Sequence, residues 1–214
     1  GGGRGRSNGT VQAQTPVRTT RGALCPLEHA VKQSQADRAA DWWRALQGLL
    51  GEGSSPDRAA LAQLRRCDRP LDALFVPAGI DLVRRLCVHQ RDERAIQRAT
   101  GLAALLAQVK PSDAPQEPLM RKLGWQTRGK DAADTAKLSE QRLRRALAVE
   151  EPDEQLAMFR RLVAQAGNQC DPRDLADSYL KWGDRVRTRW AFQYYHAEDA
   201  APSNRSEPQG NGDS

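Results

Sequence analysis

Apolar residues recur along this chain at intervals of three and four, the spacing that gathers them on one face of an α-helix. From Ala36 the pattern runs through Ala39, Trp42, Trp43, Leu46, Leu49 and Leu50, opposite Arg38, Asp41 and Arg44. It predicts an amphipathic helix with both tryptophans on its core face. The loop GEGSSPD closes that helix, and Ser55 as cap with Pro56 behind it opens the next, in which Ala60, Leu61, Leu64 and Cys67 face inward. Pro70 and Pro77 bound a short connection. Ile80, Val83, Leu86 and Cys87 then mark a third helix, and Ile96, Ala99, Ala103, Leu106 and Val109 a fourth. The stretch from Lys110 to Pro118 holds three prolines and breaks the periodicity. Beyond it come a short apolar segment with Leu119, Met120, Leu123 and Trp125, a polar loop from Gln126 to Thr135, and a helix capped by Ser139 that buries Leu143, Ala146 and Leu147. Pro152, Asp153 and Glu154 begin a helix whose inner side carries Leu156, Phe159, Leu162, Val163 and Ala166.

The last pattern is the densest. Asp171 followed by Pro172 is a helix start, because the carboxylate can accept from first-turn N–H groups and proline forfeits no bond there. Leu175, Tyr179 and Trp182 lie on one side, and Val186, Trp190 and Tyr194 recur every four residues after Gly183. A helix that continued through Gly183, at a cost of roughly 1 kcal/mol relative to alanine, would align Lys181, Arg185 and Arg189 about 6 Å apart along its axis. That is close to the phosphate spacing of an extended nucleic-acid strand. A solvated basic face beside an aromatic core accounts for the same residues.

No alternating strand pattern interrupts these helices, so the expected fold is all-α, a two-lobed helical bundle. Residues 23–110 would form the first lobe, 111–118 the proline-rich connection and 119–196 the second lobe. A Gly/Arg-rich segment, 1–22, and an acidic one, 197–214, are expected to be disordered tails. A chain of 214 residues with 39% hydrophobic residues can bury one substantial core or two small ones. No run approaches the roughly 18 apolar residues that span a bilayer, and a cytoplasmic protein without membrane contact is expected.

Chemistry is sparse. Cysteines at 25, 67, 87 and 170 form no CxxC pair, which predicts reduced, small apolar side chains and neither a disulfide framework nor a zinc site. There is no P-loop, HExxH, GxSxG or dinucleotide fingerprint, and His29, His89 and His196 are scattered. A protein without catalytic residues, metal or cofactor is expected. The net charge of +6 favours an acidic partner. Arg58, Arg65 and Arg69 line the outer face of the second helix with Arg66 on its flank, more cations than solubility demands, and point to nucleic-acid backbone contact. The uniformly arginine faces weigh against a helix-turn-helix DNA-binding regulator, which needs varied polar side chains for base edges. A helical protein-interaction scaffold, with arginines pairing to acidic protein partners, is the other alternative.

The order DWWRALQ, RAALAQLRRC, SEQRLRRAL, LAMFRRLV and LKWGDRVRTRWAFQYY resembles the small subunit of the type I-E CRISPR surveillance complex Cascade, the CasB family, over roughly residues 36–195. The resemblance implies an all-helical, two-lobed, non-catalytic protein that sits as a pair in the complex. Its implied partners are the other Cascade subunits, a second copy of itself, the guide RNA and the displaced target-DNA strand. Carried over to matching positions, the implied contacts are Arg65 and Arg66, Arg160 and Arg161, and Arg185 and Arg187, with Arg142 in SEQRLRR joining them. Asp184 interrupts the last basic run.

Overall fold

Helix starts follow the capping chemistry written in the chain. The computed structural model describes residues 1–2, 33–51, 53–125 and 136–195. Ser34 opens α1 (Gln35–Leu46) with a capping box: its Oγ accepts from the Asp37 N–H at 3.2 Å, and the Asp37 carboxylate accepts from the Ser34 N–H at 3.1 Å. Asp57 opens α2 (Arg58–Arg65) by accepting from the Ala60 N–H at 2.9 Å. It takes the capping role expected of Ser55, and Pro56 stays outside the helix. A 3-10 helix, Pro70–Phe75, fills the connection between the two prolines, and α3 (Pro77–Arg85) starts on the second. Asp92 caps α4 (Glu93–Leu106) through the Ala95 N–H at 2.9 Å. After the proline-rich stretch come the short α5 (Leu119–Leu123), α6 (Glu140–Leu147) and α7 (Pro152–Gln165). Asp171 caps α8 (Pro172–Leu180) by accepting from the Arg173 N–H at 2.8 Å, and α9 (Asp184–Tyr194) follows Gly183. No strand occurs among the described residues, in keeping with an all-α fold.

The core is organised around α4, whose residues from Ala99 to Leu106 are all buried. A helix apolar on every side must be enclosed on every side. The 3-10 helix, α2, α3, α7 and α8 pack against it, while α1 lies on α8 and α5 on α9. Trp42 and Trp43 are buried, and the Trp43 indole donates to the Val109 carbonyl at 3.2 Å. One continuous set of buried side chains includes Leu64, Leu86 and Leu102 from before the proline-rich stretch and Phe159, Tyr179 and Trp190 from after it. The stretch itself is fastened down at both ends: the Lys110 N–H donates to the Asn168 carbonyl at 2.7 Å, and the Asp171 N–H to the Glu117 carbonyl at 2.9 Å.

Three further expectations are corrected. First, α1 stops at Leu46 and leaves Leu49 and Leu50 half exposed. Gly48 sits at φ +69°, the left-handed conformation that ends helices, and a Cβ there would lie 2.5 Å from the Ser55 carbonyl carbon. Second, the last pattern forms two helices instead of one. Third, Cys67 and Cys170 are free and buried, whereas Cys87 is disulfide-bonded, so the chain does not hold four reduced thiols. The expected tails at 1–22 and 197–214 fall outside the described residues, apart from Gly1 and Gly2, as does the loop from Gln126 to Thr135. Among the described residues no helix is long and apolar enough to cross a membrane, and no group of three or more His, Cys, Asp or Glu side chains is placed to hold a metal ion.

Candidate nucleic-acid interface

The break between α8 and α9 decides what the last basic run can do. Lys181 terminates α8 and Gly183 is extended, so Lys181, Arg185 and Arg189 do not form one stripe on one helix. Trp182, between them, turns inward: its indole donates to the Val149 carbonyl at 2.8 Å, and its ring packs edge-on against Phe159 at 5.3 Å and Trp190 at 4.9 Å. Tyr179 completes the cluster, with its ring centroid 5.1 Å from that of Phe159.

Several of the expected cations are engaged by this framework. Arg189 donates to Asp177 Oδ2 at 2.7 Å and to Ser178 Oγ at 2.8 Å, and lies 3.9 Å from Asp174. Lys181 pairs with the same Asp177 at 2.5 Å. Burial works to raise the Asp177 carboxyl, but hydrogen bonds from Lys181 and Arg189 outweigh it and hold the group below the usual carboxylate range. Asp174 is pushed up, chiefly by burial, with Arg189 opposing. Arg187 lies over the Trp182 ring at 5.7 Å, donates to the Val149 carbonyl at 3.1 Å and pairs with Asp184 at 3.2 Å. Asp184, which interrupts the basic run in the sequence, therefore serves as a partner within it. Arg160 is mostly buried, with Asp68 3.9 Å from its Nη1.

Other cations face solvent. Arg65, at the end of α2, is exposed although its Nε donates to the Ala107 carbonyl at 2.7 Å. Arg66 and Arg185 are exposed. Between α6 and α7, Arg142, Arg145 and Arg161 line a groove of about 400 Å³. Leu138, Ala146, Val149, Met158 and Leu162 supply its apolar lining, together with Gln165. The three arginines are exposed and make no ion pair among the described residues, whereas Arg144 on the same helix pairs with Glu140 at 3.8 Å. The groove thus unites Arg142 with Arg161, which are nineteen positions apart in the chain, and adds Arg145. Sequence reasoning passed over Arg145 as one of several exposed arginines. Its spacing of three from Arg142, which places both on one helical face, was the available signal.

Such a groove presents planar, permanently charged donors beside an apolar lining, a combination suited to phosphate with an adjoining flat or apolar group. The fold and the groove together define an all-helical protein that displays arginine in clusters. Within that class the chain belongs to the family described as CRISPR-associated protein Cse2, which it matches over residues 60–195. The family agrees with the resemblance carried by the arginine-bearing helices. The fold is shared with a chain in the crystal structure of Escherichia coli Cascade bound to a PAM-containing double-stranded DNA target. The TM-score is 0.52 at 19% identity, over 76% of this chain and 97% of that one. No curated protein matches this chain.

Proposed function

We propose that this protein is a non-catalytic subunit of a CRISPR RNA-guided surveillance complex in antiviral defence, where it holds nucleic acid by its phosphates without reading sequence. The observation that carries the reading is the α6–α7 groove, in a chain of the Cse2 family, with Arg142, Arg145 and Arg161 exposed around it and without an ion pair among the described residues. Phosphates carry no base information, so such contacts position a strand and leave specificity to the guide. Forming an R-loop is nearly balanced in free energy, and a few backbone contacts to the displaced strand or to the guide RNA tip it. The partners under this reading are the other Cascade subunits, guide RNA, the displaced strand and a second copy of the chain.

Arg142, Arg145 and Arg161 lead the assignment, followed by the exposed Arg65, Arg66 and Arg185. Lys181, Arg160, Arg187 and Arg189 would have to leave or share the partners described above, and rank lower. The test is Arg142→Gln, Arg145→Gln and Arg161→Gln combined in the reconstituted complex. R-loop formation on a matched target should fall while the melting temperature of the isolated protein holds. Binding of a single-stranded oligonucleotide should lose about 0.7 in the log–log salt slope for each phosphate contact removed. Unchanged R-loop formation and an unchanged slope would remove the groove from the reading.

A further inference from the structure

The end of α9 touches the lining of the α6–α7 groove, and the acidic C-terminal segment of this chain follows α9 in sequence. Tyr194, the last residue of α9, donates its hydroxyl to the Leu138 carbonyl at 2.6 Å. Leu138 is part of the groove wall. Burial, and after it the neighbouring Glu140 at the start of α6, push the Tyr195 hydroxyl up from its ordinary value. The Tyr194 carbonyl also accepts from the Trp125 N–H at 2.9 Å, which holds the backbone at the end of α9. From there to Ser214 the chain carries Glu198, Asp199, Glu207 and Asp213 against the single cation Arg205.

Reach and charge both match. Four extended residues beyond Tyr195 span about 14 Å, whereas α6 rises only about 7.5 Å from Glu140 to Arg145. Glu198 and Asp199 therefore have chain enough to span the rise of α6 that carries Arg142 and Arg145, and Glu207 and Asp213 have chain to spare. A segment tethered to the end of α9 is present at an effective concentration in the millimolar range, so weak ion pairs suffice to occupy the site. We infer that residues 196–214 dock on Arg142, Arg145 and Arg161 and compete there with nucleic acid. The competition rests on the nucleic-acid reading above; the docking does not. In the assembled complex a long polyanion, making more phosphate contacts than the segment has carboxylates, displaces it. Short or chance nucleic-acid contacts do not. The three arginines are exposed, so added salt weakens the docking, with screening over about 10 Å at 0.1 M ionic strength.

The first experiment compares the full chain with a variant neutralised at Glu198→Gln, Asp199→Asn, Glu207→Gln and Asp213→Asn, titrating each with a fluorescent single-stranded oligonucleotide at low salt. The neutralised chain should bind about three- to tenfold tighter, the worth of one or two exposed ion pairs. The gain should vanish when the same four changes are made together with Arg142→Gln, Arg145→Gln and Arg161→Gln. Equal binding by the first two proteins overturns the inference. So does a gain that survives loss of the three arginines, since that reports net charge alone. The second experiment needs no nucleic acid. Arg145→Lys keeps the charge and supplies an amine for carbodiimide coupling, and mass spectrometry should find the 196–214 segment joined to position 145 in preference to Lys181. Coupling that is absent, or as frequent at Lys181, overturns the docking. If neither protein binds the oligonucleotide, the nucleic-acid reading fails and the coupling result alone decides the docking.

Discussion

Arg189 shows how little a residue's type says about its employment. Its guanidinium joins Asp177 and Ser178, and Ser178 Oγ also accepts from the Trp190 indole at 3.1 Å, so the cation braces the end of α8 against the core of α9. Arg189→Gln should destabilise the fold by roughly 2 to 3 kcal/mol, somewhat less than breaking a fully buried pair because the guanidinium is still partly exposed. The same change should raise the Asp174 carboxyl further, since Arg189 is the largest of the influences that oppose its burial. For a carboxyl whose folded value lies above its unfolded one, stability falls as pH rises from about 4 through the folded value. That fall should be larger in the variant, as urea midpoints at several pH values would show. Asp37 has the opposite sign. Hydrogen bonds from Arg173, first, and from Ser34 hold its carboxyl at about 2. Its contribution is present above the unfolded value near 4 and is lost as pH falls through about 2. Asp37→Asn should flatten stability across that window, measured in the same way; a slope as steep as that of the parent chain would mean that the contact of Asp37 with Arg173 does not persist in solution.

At the scale of elements, most starts were legible, but the α2 start lay two residues later than expected and the ends of α1 and α8 were not legible. Asp171 caps where an acid precedes a helical period, because a side-chain oxygen meeting free N–H groups is a local event. The α8–α9 break was hidden because Tyr179, Val186, Trp190 and Tyr194 keep a helical rhythm across it. What turns the chain is Trp182 reaching the Val149 carbonyl, a contact made by a residue remote in sequence. The α6–α7 groove escaped for the same reason, since it exists only once Arg161 is laid beside Arg142. The neighbouring α5–α9 contact is open to a sharper test. The Gly124 backbone lies so close to α9 that a Cβ would sit 2.2 Å from the Tyr194 carbonyl oxygen, which also accepts from the Trp125 N–H at 2.9 Å. Gly124→Ala should therefore cost about 1 to 3 kcal/mol, as overpacking does. It should also speed hydrogen exchange at the end of α9 more than in α4. Uniform acceleration would place the strain elsewhere.

The whole molecule poses the question of how its two halves cooperate. We propose that the lobes at 23–110 and 119–196, although separated in the chain by a proline-rich connection, unfold together, because α4 is packed by elements from both sides of it. A single calorimetric transition with matching van't Hoff enthalpy is expected; two resolved transitions would show the lobes to be independent. One consequence of the aromatic cluster reaches into how such unfolding would be watched. The rings of Trp182 and Trp190 stand 4.9 Å apart and steeply inclined, so their electronic transitions mix, and the optical activity of the pair belongs to neither indole alone. Far-ultraviolet ellipticity will thus contain a couplet of aromatic origin beneath its helical bands. Part of the signal lost on heating will report the parting of two rings instead of the melting of helix, and subtracting the spectrum of Trp182→Phe from that of the parent isolates that part.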